Sequence, residues 1–474
     1  RVLFRSYIPN TLHKNFALFE KYPDYVFSFE GAFRYMLAKE YYTDDFARMK
    51  DYIAKGRWAV CGSSVDAGDV NVPSPESIMR HILYGNRYFR NEFGKTSRDI
   101  FLPDCFGFGY ALPSIMAHCG IKGFSTQKLT WGSAIGIPFD VGAWEGVDGS
   151  RVVAELNPDE YVARLRTDLS TDRRWNDTIE KQGKTSGLYV GYKYFGVGDT
   201  GGAPDDESVS WLEKSMKGPG PLKVVSVPAD RLARELHPSQ LDKLPQYKGE
   251  LLMSTHGTGC YTAQSAMKRW NRGNELLADN AERASVIADW LGGAAYPADA
   301  LRETWIRFLW HQFHDDLTGT SIPEAYTYSW NDEIIALNRF SSILEHAAGA
   351  ATRALDTRAK GISLVVYNPL AFEREDAVEA TVSFPGAPPK YVRVFGPDGA
   401  EVPAQVIDKK GGALTVLFLA KAPSVGFAVY DARPSATPST VKTVLSATPS
   451  SLENARYRVR IDRDGNVAGI TDKR

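Results

Sequence analysis

The chain has 474 residues, more than one hydrophobic core usually holds, so two or three domains are expected. Its 56 Lys and Arg residues balance 57 Asp and Glu residues, which argues against nucleic acid or an anionic membrane as the main partner. The four cysteines, Cys61, Cys105, Cys119 and Cys260, form no C-x-x-C pair, which argues against zinc-ribbon and thioredoxin-like sites. The sequence has no apolar run of about 18 residues, so no membrane-spanning helix is predicted.

Residues 1–240 alternate short apolar strands with amphipathic helices, which predicts a mostly parallel sheet covered by helices. We expect a (β/α) barrel-like domain here. The predicted strands are Val26–Phe29, Trp58–Cys61, Ile100–Leu102, Lys122–Ser125, Arg151–Leu156, Leu188–Tyr194 and Lys223–Val227. The predicted helices include Thr43–Lys55, Glu76–Phe93 and Leu112–Cys119. An Asp-Gly pair predicts a hairpin within Trp144–Arg151.

Acidic residues follow several of these strands. They are Glu30, Asp66, Asp69, Asp104 and Asp199. The carboxyl ends of parallel strands meet at one edge of a sheet, so these carboxylates are candidates for a shared cleft. Solvated loops also carry acids by chance, and we expect only some of the five to matter.

Asp104 stands in the stretch Pro103–Gly109, Pro-Asp-Cys-Phe-Gly-Phe-Gly, between a strand and a helix. α/β enzymes place catalytic carboxylates at such strand ends. In the alternative interpretation, Asp104 only caps the helix that follows. The turn alone does not decide between them.

The stretch Phe195–Gly202 contains G-x-G-x-x-G after a predicted strand. A dinucleotide site would need an acid about 20 residues further on. Pro219–Leu222 occupies that region, so we reject this interpretation. What remains is a loop that presents Asp199, either as a general acid or as an ordinary turn residue.

The middle of the chain is strongly helical, and we expect a three-helix bundle domain at residues 241–358. The predicted helices are Ala263–Leu291, Asp299–Asp316 and Trp330–Thr357. His314, flanked by acids and followed by Gly319, fits a metal site. The alternative is a histidine at a helix C-terminus. His311, one turn earlier, is either a further ligand or a core residue.

The stretch Ser254–Thr262 lies at the predicted domain junction. Its His256 and Tyr261 are candidates for contact with a substrate. The alternative is a loop that packs on the helices, with Thr262 as the cap of the next helix.

Residues 359–474 turn to alternating strands separated by Gly-containing turns, which predicts a β-sandwich. The predicted strands are Ile362–Tyr367, Tyr391–Phe395, Leu414–Leu419, Val425–Tyr430 and Tyr457–Ile461. The strand pattern is unfinished at Arg474, so we expect an incomplete sandwich. The predicted fold class is therefore multidomain α/β, then α, then β.

Taken together, several motifs resemble the α-mannosidases of glycoside hydrolase family 38, in the same order along the chain. They are Tyr22–Tyr25, Gly56–Trp58, Pro103–Gly109, Ser125–Trp131, Asp199–Gly202, Thr258–Arg272, His314–Thr320 and Tyr367–Leu370. The Pro-Asp-x-Phe-Gly and His-Asp-x-x-x-Gly-Thr pair is specific, whereas the Asp199 loop matches more loosely.

The resemblance implies a retaining, metal-dependent, exo-acting α-mannosidase that acts on mannose-containing glycans and binds Zn²⁺. Asp104 would be both the nucleophile and a zinc ligand, and His314 a second ligand. Asp199 would be the general acid and base. Phe106 and Asp315 would contact the bound sugar, where we also place His256 and Tyr261.

One departure concerns the metal, because the family's His-x-Asp pair of zinc ligands is missing. His13 is followed by Lys14 and Asn15. We interpret the printed sequence as starting late, and a chain that truly starts at Arg1 is expected to bind zinc poorly and to be inactive.

Two further hypotheses stay open. One is a different metal-assisted carbohydrate hydrolase of the deacetylase-like kind, and the other is a carbohydrate-binding protein without catalysis. A second copy of the chain is a candidate partner. The compartment also stays open, since an upstream signal peptide would indicate a periplasmic or secreted protein and its absence a cytoplasmic one.

Overall fold

The computed structural model describes residues 3–474, and the chain divides into two units. The first contains the residues up to Ala278 together with Ala298–Ser341, and the second contains Asp279–Pro297 and Ser342–Arg474. The division into three domains, with boundaries near residues 240 and 358, stays a prediction. No helix within residues 3–474 is long and apolar enough to cross a membrane.

The first unit contains a mostly parallel arrangement of seven strands within its described residues. They are β1 (Phe27–Glu30), β2 (Trp58–Cys61), β3 (Asp99–Phe101), β4 (Gly123–Ser125), β5 (Val141–Glu145), β6 (Arg151–Glu155) and β7 (Gln246–Lys248). β1 pairs with β2, and a second sheet has the order β3-β4-β6-β5-β7. Only β5 and β6 pair antiparallel, through the predicted Asp-Gly hairpin.

The parallel character of the sheet is confirmed, but two predicted strands are wrong. Leu188–Tyr194 and Lys223–Val227 form no strand. Both ranges line a cavity of about 950 Å³ that also borders β1. In the first range, the Val190 carbonyl accepts a hydrogen bond from the side-chain amide of Gln182 and not from a neighbouring strand. In the second range, Ser226 Oγ accepts from Val26 N–H, next to β1. Within the described residues, the sheets do not close into a barrel.

Aromatic packing fixes the sheet that carries the candidate site. Phe124 of β4 lies between Phe108 and Trp144, with ring centroids 5.0 and 4.9 Å away. All three side chains are at most 1% exposed. Burial of each ring stabilises the folded state by roughly 1.5–3 kcal/mol. The strand ends from which the loops of the candidate site begin are therefore held in place.

Nine helices of the described chain precede the long helical segments. They are α1 (Ile8–Lys21), α2 (Ala32–Tyr41), α3 (Thr43–Ala54), α4 (Pro75–Phe93), α5 (Leu112–His118), α6 (Arg173–Ser186), α7 (Asp206–Met216), α8 (Arg231–Glu235) and α9 (Pro238–Leu241). α4 follows its sequence signals closely. Ser74 accepts a hydrogen bond from Ser77 N–H, Pro75 opens the helix, and Gly94 ends it in a left-handed conformation.

Three long helices follow: α10 (Ser265–Trp290), α11 (Ala298–Trp310) and α12 (Pro323–Arg353). The predicted end of the second helix at Asp316 is wrong, because the residues after Trp310 form turns. Their backbone pairs with the loop after β2, where Asp69 N–H donates to the Gln312 carbonyl at 2.8 Å. The third helix begins earlier than predicted, at Pro323, since proline suits the first position of a helix. The packing of the three helices as a bundle stays a prediction.

The second unit contains two antiparallel sheets that share one apolar core, as the sandwich prediction requires. Its strands are β8 (Ile362–Asn368), β9 (Arg374–Val382), β10 (Tyr391–Phe395), β11 (Glu401–Val402), β12 (Ala404–Lys410), β13 (Ala413–Ala422), β14 (Gly426–Ser435), β15 (Ser446–Thr448), β16 (Ser451–Glu453), β17 (Tyr457–Ile461) and β18 (Val467–Asp472). The sheets have the orders β11-β10-β14-β8 and β12-β13-β9, and β15–β18 form a separate four-stranded sheet.

Candidate active site

Asp104 lies in the loop between β3 and α5 and does not cap the helix. The residue before α5 is Ala111, and its side chain makes no capping hydrogen bond. Gly107 turns the chain with φ +113°, a conformation that a side chain rarely allows. Phe108 N–H then donates to the Leu251 carbonyl at 3.0 Å, which fixes the far end of the loop. The capping interpretation of Asp104 is therefore wrong.

Lys128 supplies a buried positive charge to Asp104. It follows β4, the neighbour of β3, so both side chains emerge at the same sheet edge. Its side chain is 1% exposed, and its ammonium group forms an ion pair with Asp104 Oδ1. The sequence reasoning missed Lys128, although the strand-end rule that selected Asp104 would also have selected this residue.

His314 reaches Asp104 from a distant part of the sequence. Its Nδ1–H donates to the Ala67 carbonyl at 2.9 Å, and a carbonyl only accepts, so this bond assigns the proton to Nδ1. The other nitrogen, Nε2, lies 3.7 Å from Asp104 Oδ2 and 3.9 Å from Asp315 Oδ2. Because α11 ends at Trp310, the alternative of a histidine at a helix C-terminus is wrong.

The electrostatics of this cluster keep Asp104 ionised. Burial acts to raise the pKa of Asp104, but the interactions with His314 and Lys128 outweigh it and lower the pKa to about 2. Burial acts to lower the pKa of His314, yet Asp104, Cys105 and Asp315 raise it well above its usual value. An ionised carboxylate is what a nucleophile requires.

Asp199 approaches Asp104 through a tyrosine that the sequence reasoning missed. The Tyr161 hydroxyl lies 3.2 Å from Asp199 Oδ1 and 3.5 Å from Asp104 Oδ2. These two oxygens are therefore no more than about 7 Å apart, a limit that includes the about 5–5.5 Å between the carboxyl groups of retaining glycosidases. Burial and the two carboxylates raise the pKa of Tyr161, so its hydroxyl stays protonated and can donate. No sequence pattern pointed to Tyr161.

The glycines beside Asp199 serve packing. An added Cβ on Gly198 would lie 1.8 Å from the ring of Tyr161, so only glycine allows this ring to rest on the loop. Gly202 N–H donates to Thr11 Oγ1 of α1 at 2.8 Å, and its carbonyl accepts from the Asn15 amide at 3.2 Å. Packing against Tyr161 thus explains Gly198 of the G-x-G-x-x-G pattern, and backbone bonds of Gly202 hold the loop against α1.

Only some of the strand-end acids share the cleft. Glu30 lines the same cavity as Asp104 and Asp199. Its carboxylate lies 2.8 Å from the Arg34 guanidinium, and burial raises its pKa to about 7. Asp66 forms an ion pair with the same guanidinium nitrogen, Nη1 of Arg34. Of the five acids, Glu30, Asp104 and Asp199 thus line one cavity, and which of them matter for function stays a prediction.

The predicted substrate contacts lie at different depths. Phe106 is buried, and its ring centroid is 5.7 Å from that of the partly exposed His256. The carboxylate of Asp315 is 39% exposed. The Tyr261 hydroxyl donates to buried Asp69 at 2.8 Å, which gives it a structural hydrogen bond. Contact between these four residues and a sugar stays a prediction.

The donors at this site fit part of a metal centre. Asp104 Oδ2 and His314 Nε2 are ordinary zinc ligands and face each other, but zinc usually takes four ligands. Within residues 3–474, no group of three or more His, Cys, Asp and Glu side chains is placed to hold a metal. His311 adds no ligand, because its two ring nitrogens face Asp316 and Asp332.

Comparison with known proteins places the chain in a family. Residues 4–250 match the glycosyl hydrolases family 38 N-terminal domain. The chain belongs to glycoside hydrolase family 38. Residues 255–350 match the alpha mannosidase middle domain, which includes His314. The resemblance that the sequence motifs indicated is confirmed.

Similar proteins in this family carry α-mannosidase names. The chain is 30% identical to alpha-mannosidase 2C1 of Mus musculus, over 96% of this chain and 41% of the relative. It is 33% identical to alpha-mannosidase G of Dictyostelium discoideum, over 64% of this chain and 27% of the relative. The fold matches a solved α-mannosidase from Enterococcus faecalis V583 with a TM-score of 0.76 at 18% identity, over 98% of this chain and 58% of that one. The chain thus spans less than half the length of these two relatives.

Proposed function

We propose that the protein is a retaining, exo-acting α-mannosidase that hydrolyses mannose-containing glycans with the help of a divalent metal ion. The observation that carries this proposal is the meeting of Asp104 and His314, which lie far apart in sequence, with Tyr161 linking Asp104 to Asp199. Membership of glycoside hydrolase family 38 and the names of the relatives support the choice of reaction and sugar.

In this mechanism Asp104 is the nucleophile. Its carboxylate attacks the anomeric carbon and forms a covalent glycosyl-enzyme, while the bond to the leaving oxygen breaks. Lys128 contacts Oδ1 of Asp104 and the Tyr161 hydroxyl lies beside Oδ2, so each carboxylate oxygen has a partner that helps to orient the attack. We assign the proton transfers to Asp199, which first protonates the leaving oxygen and then takes a proton from the attacking water.

We further propose that Zn²⁺ binds with Asp104 and His314 as two of its ligands. When bound, the ion would stabilise negative charge and help to orient the hydroxyls of the mannose ring. The hydrogen bond from His314 Nδ1–H to the Ala67 carbonyl supports this role, since it directs Nε2 toward Asp104, and Nε2 would give up its proton to bind the metal. Phe106, Asp315, His256 and Tyr261 are the proposed sugar contacts.

Hydrolysis of para-nitrophenyl α-mannoside tests this function in protein expressed from its complete gene. We expect turnover of the α-mannoside but not of the β-mannoside, loss of turnover after chelation, and recovery with Zn²⁺. Asp104→Asn should lower kcat by a factor on the order of 10³ or more, because the nucleophile is lost. Wild-type protein that binds mannose with zinc present but hydrolyses no α-mannoside would instead support the carbohydrate-binding hypothesis.

A further inference from the structure

His311 is a buried histidine whose two ring nitrogens both face carboxylates. Nδ1 lies 2.7 Å from Asp316 Oδ2, and Nε2 lies 3.0 Å from Asp332 Oδ2. A carboxylate oxygen accepts hydrogen bonds, so both nitrogens act as donors and the ring is an imidazolium. Burial acts to lower the pKa of His311, but Asp316 and Asp332 outweigh it and raise the pKa to about 9.

This imidazolium joins α12 to the turn that carries His314. Asp332 lies on α12, whereas Asp316 closes the turn, with its N–H donating to the Phe313 carbonyl at 3.0 Å. The other oxygen of Asp316 accepts from Ser329 Oγ of α12 at 2.8 Å. The carboxylate of Asp316 is thus fixed from two sides.

A second contact from α12 supports the same turn. The Tyr326 hydroxyl lies 3.2 Å from the Asp315 carbonyl and 3.4 Å from the Asp316 carbonyl. Tyr326, Ser329 and Asp332 are spaced three residues apart, so they lie on neighbouring positions of one helix face. This face of α12 therefore contacts the backbone carbonyls of both Asp315 and Asp316.

We propose that His311 is a positioning residue, whose bonds to Asp316 and Asp332 hold the turn so that His314 Nε2 faces Asp104. An apolar residue would fill the same space without burying charge, and buried ionic groups are a costly way to obtain stability alone. The benefit is instead that the turn is held in one geometry. Substitution of a residue that supports a metal ligand commonly lowers metal affinity or activity 10–100-fold. This inference rests on the proposed function through the zinc site.

Zinc affinity, measured by competition with a chromogenic chelator, tests the proposal in protein from the complete gene. We expect His311→Gln to weaken zinc binding about 10–100-fold and to lower kcat at saturating zinc. Asp332→Asn is a milder second variant, because Asp332 is partly exposed, and a loss of several-fold is expected. The matched control is Phe340→Leu, which loosens the packing of α12 on Trp305 without touching the turn.

Zinc affinity within twofold of wild type in both His311→Gln and Asp332→Asn would overturn the proposal. An equal loss of affinity in Phe340→Leu would also overturn it, since the effect would then follow general stability. Failure of the proposed function gives a different result: wild-type protein would bind zinc, the variants would differ in affinity, and no α-mannoside would be hydrolysed.

Discussion

At the scale of single residues, Asp104 depends on two cations that come from different places in the sequence. Lys128 follows the neighbouring strand, and His314 follows a helix about two hundred residues later. Both lower the pKa of a carboxyl group that burial alone would raise. Lys128 also lies 4.1 Å from the ring centre of Trp131, which adds a cation–π contact and shields the ammonium group from water.

Replacing Lys128 tests whether its charge serves Asp104. We expect Lys128→Met to lower kcat/KM by at least about 30-fold, since the loss of a buried ion partner costs several kcal/mol. The pKa of Asp104 should rise, so the acid limb of the pH profile of kcat/KM should move to higher pH. Lys128→Arg keeps the charge and should retain most of the activity. A profile for Lys128→Met with an unchanged acid limb would contradict this role.

Among the residues of the candidate site, the sequence predicted those that belong to recognisable motifs. Local patterns made Asp104 and His314 candidates, the family resemblance gave them their roles, and the structure brings them together. Tyr161 was missed, because its role arises only when a loop folds back over Gly198. Lys128 lies in the motif Ser125–Trp131, but its ion pair with Asp104 arises only when β3 and β4 pair, which no local pattern shows.

At the scale of elements, the loop that carries Asp199 depends on close backbone packing. The ring of Tyr161 rests where Gly198 has no side chain, and the Tyr161 hydroxyl then reaches Asp199. The loop therefore sets the separation of the two carboxylates that the mechanism uses.

Substitution of Gly198 tests this dependence. In Gly198→Ala the added Cβ meets the ring of Tyr161, so ring and loop must move apart. We expect kcat/KM for para-nitrophenyl α-mannoside to fall about tenfold or more, with only a small change in melting temperature, because displaced catalytic groups act poorly. Gly259→Ala is the matched control, since its Cβ would meet nothing within 4 Å and its φ is −80°. Equal activity in the two variants would refute the role of the loop.

Element predictions succeeded where local signals are complete. α4 has its cap, its proline and its terminal glycine in the sequence, and its bounds were predicted almost to the residue. The end of α11 depends instead on backbone pairing with the loop after β2, which no local pattern contains. Leu188–Tyr194 and Lys223–Val227 have the composition of strands, but neither range pairs with a strand of the described sheets.

At the scale of the whole molecule, the order of α/β, helical and β regions was predicted from changes in hydrophobic period. The sandwich core of the second unit follows that pattern, with buried residues alternating along β13. The described residues bring together Asp104 and His314, the two metal ligands that the resemblance implies, and no group of three donors forms among them. Further ligands are therefore part of the proposal for the whole protein.

The central claim is that Asp104 forms a covalent bond to the sugar. Incubation of the protein from its complete gene with a fluorinated mannosyl fluoride, whose glycosyl-enzyme hydrolyses slowly, should trap this intermediate. Mass spectrometry of the intact protein should then find the added mass of one fluorinated mannosyl group. Peptide mapping should place it on the peptide that contains Asp104, and Asp104→Asn should remain unlabelled. A label on another residue, or turnover of the reagent without any label, would contradict the account.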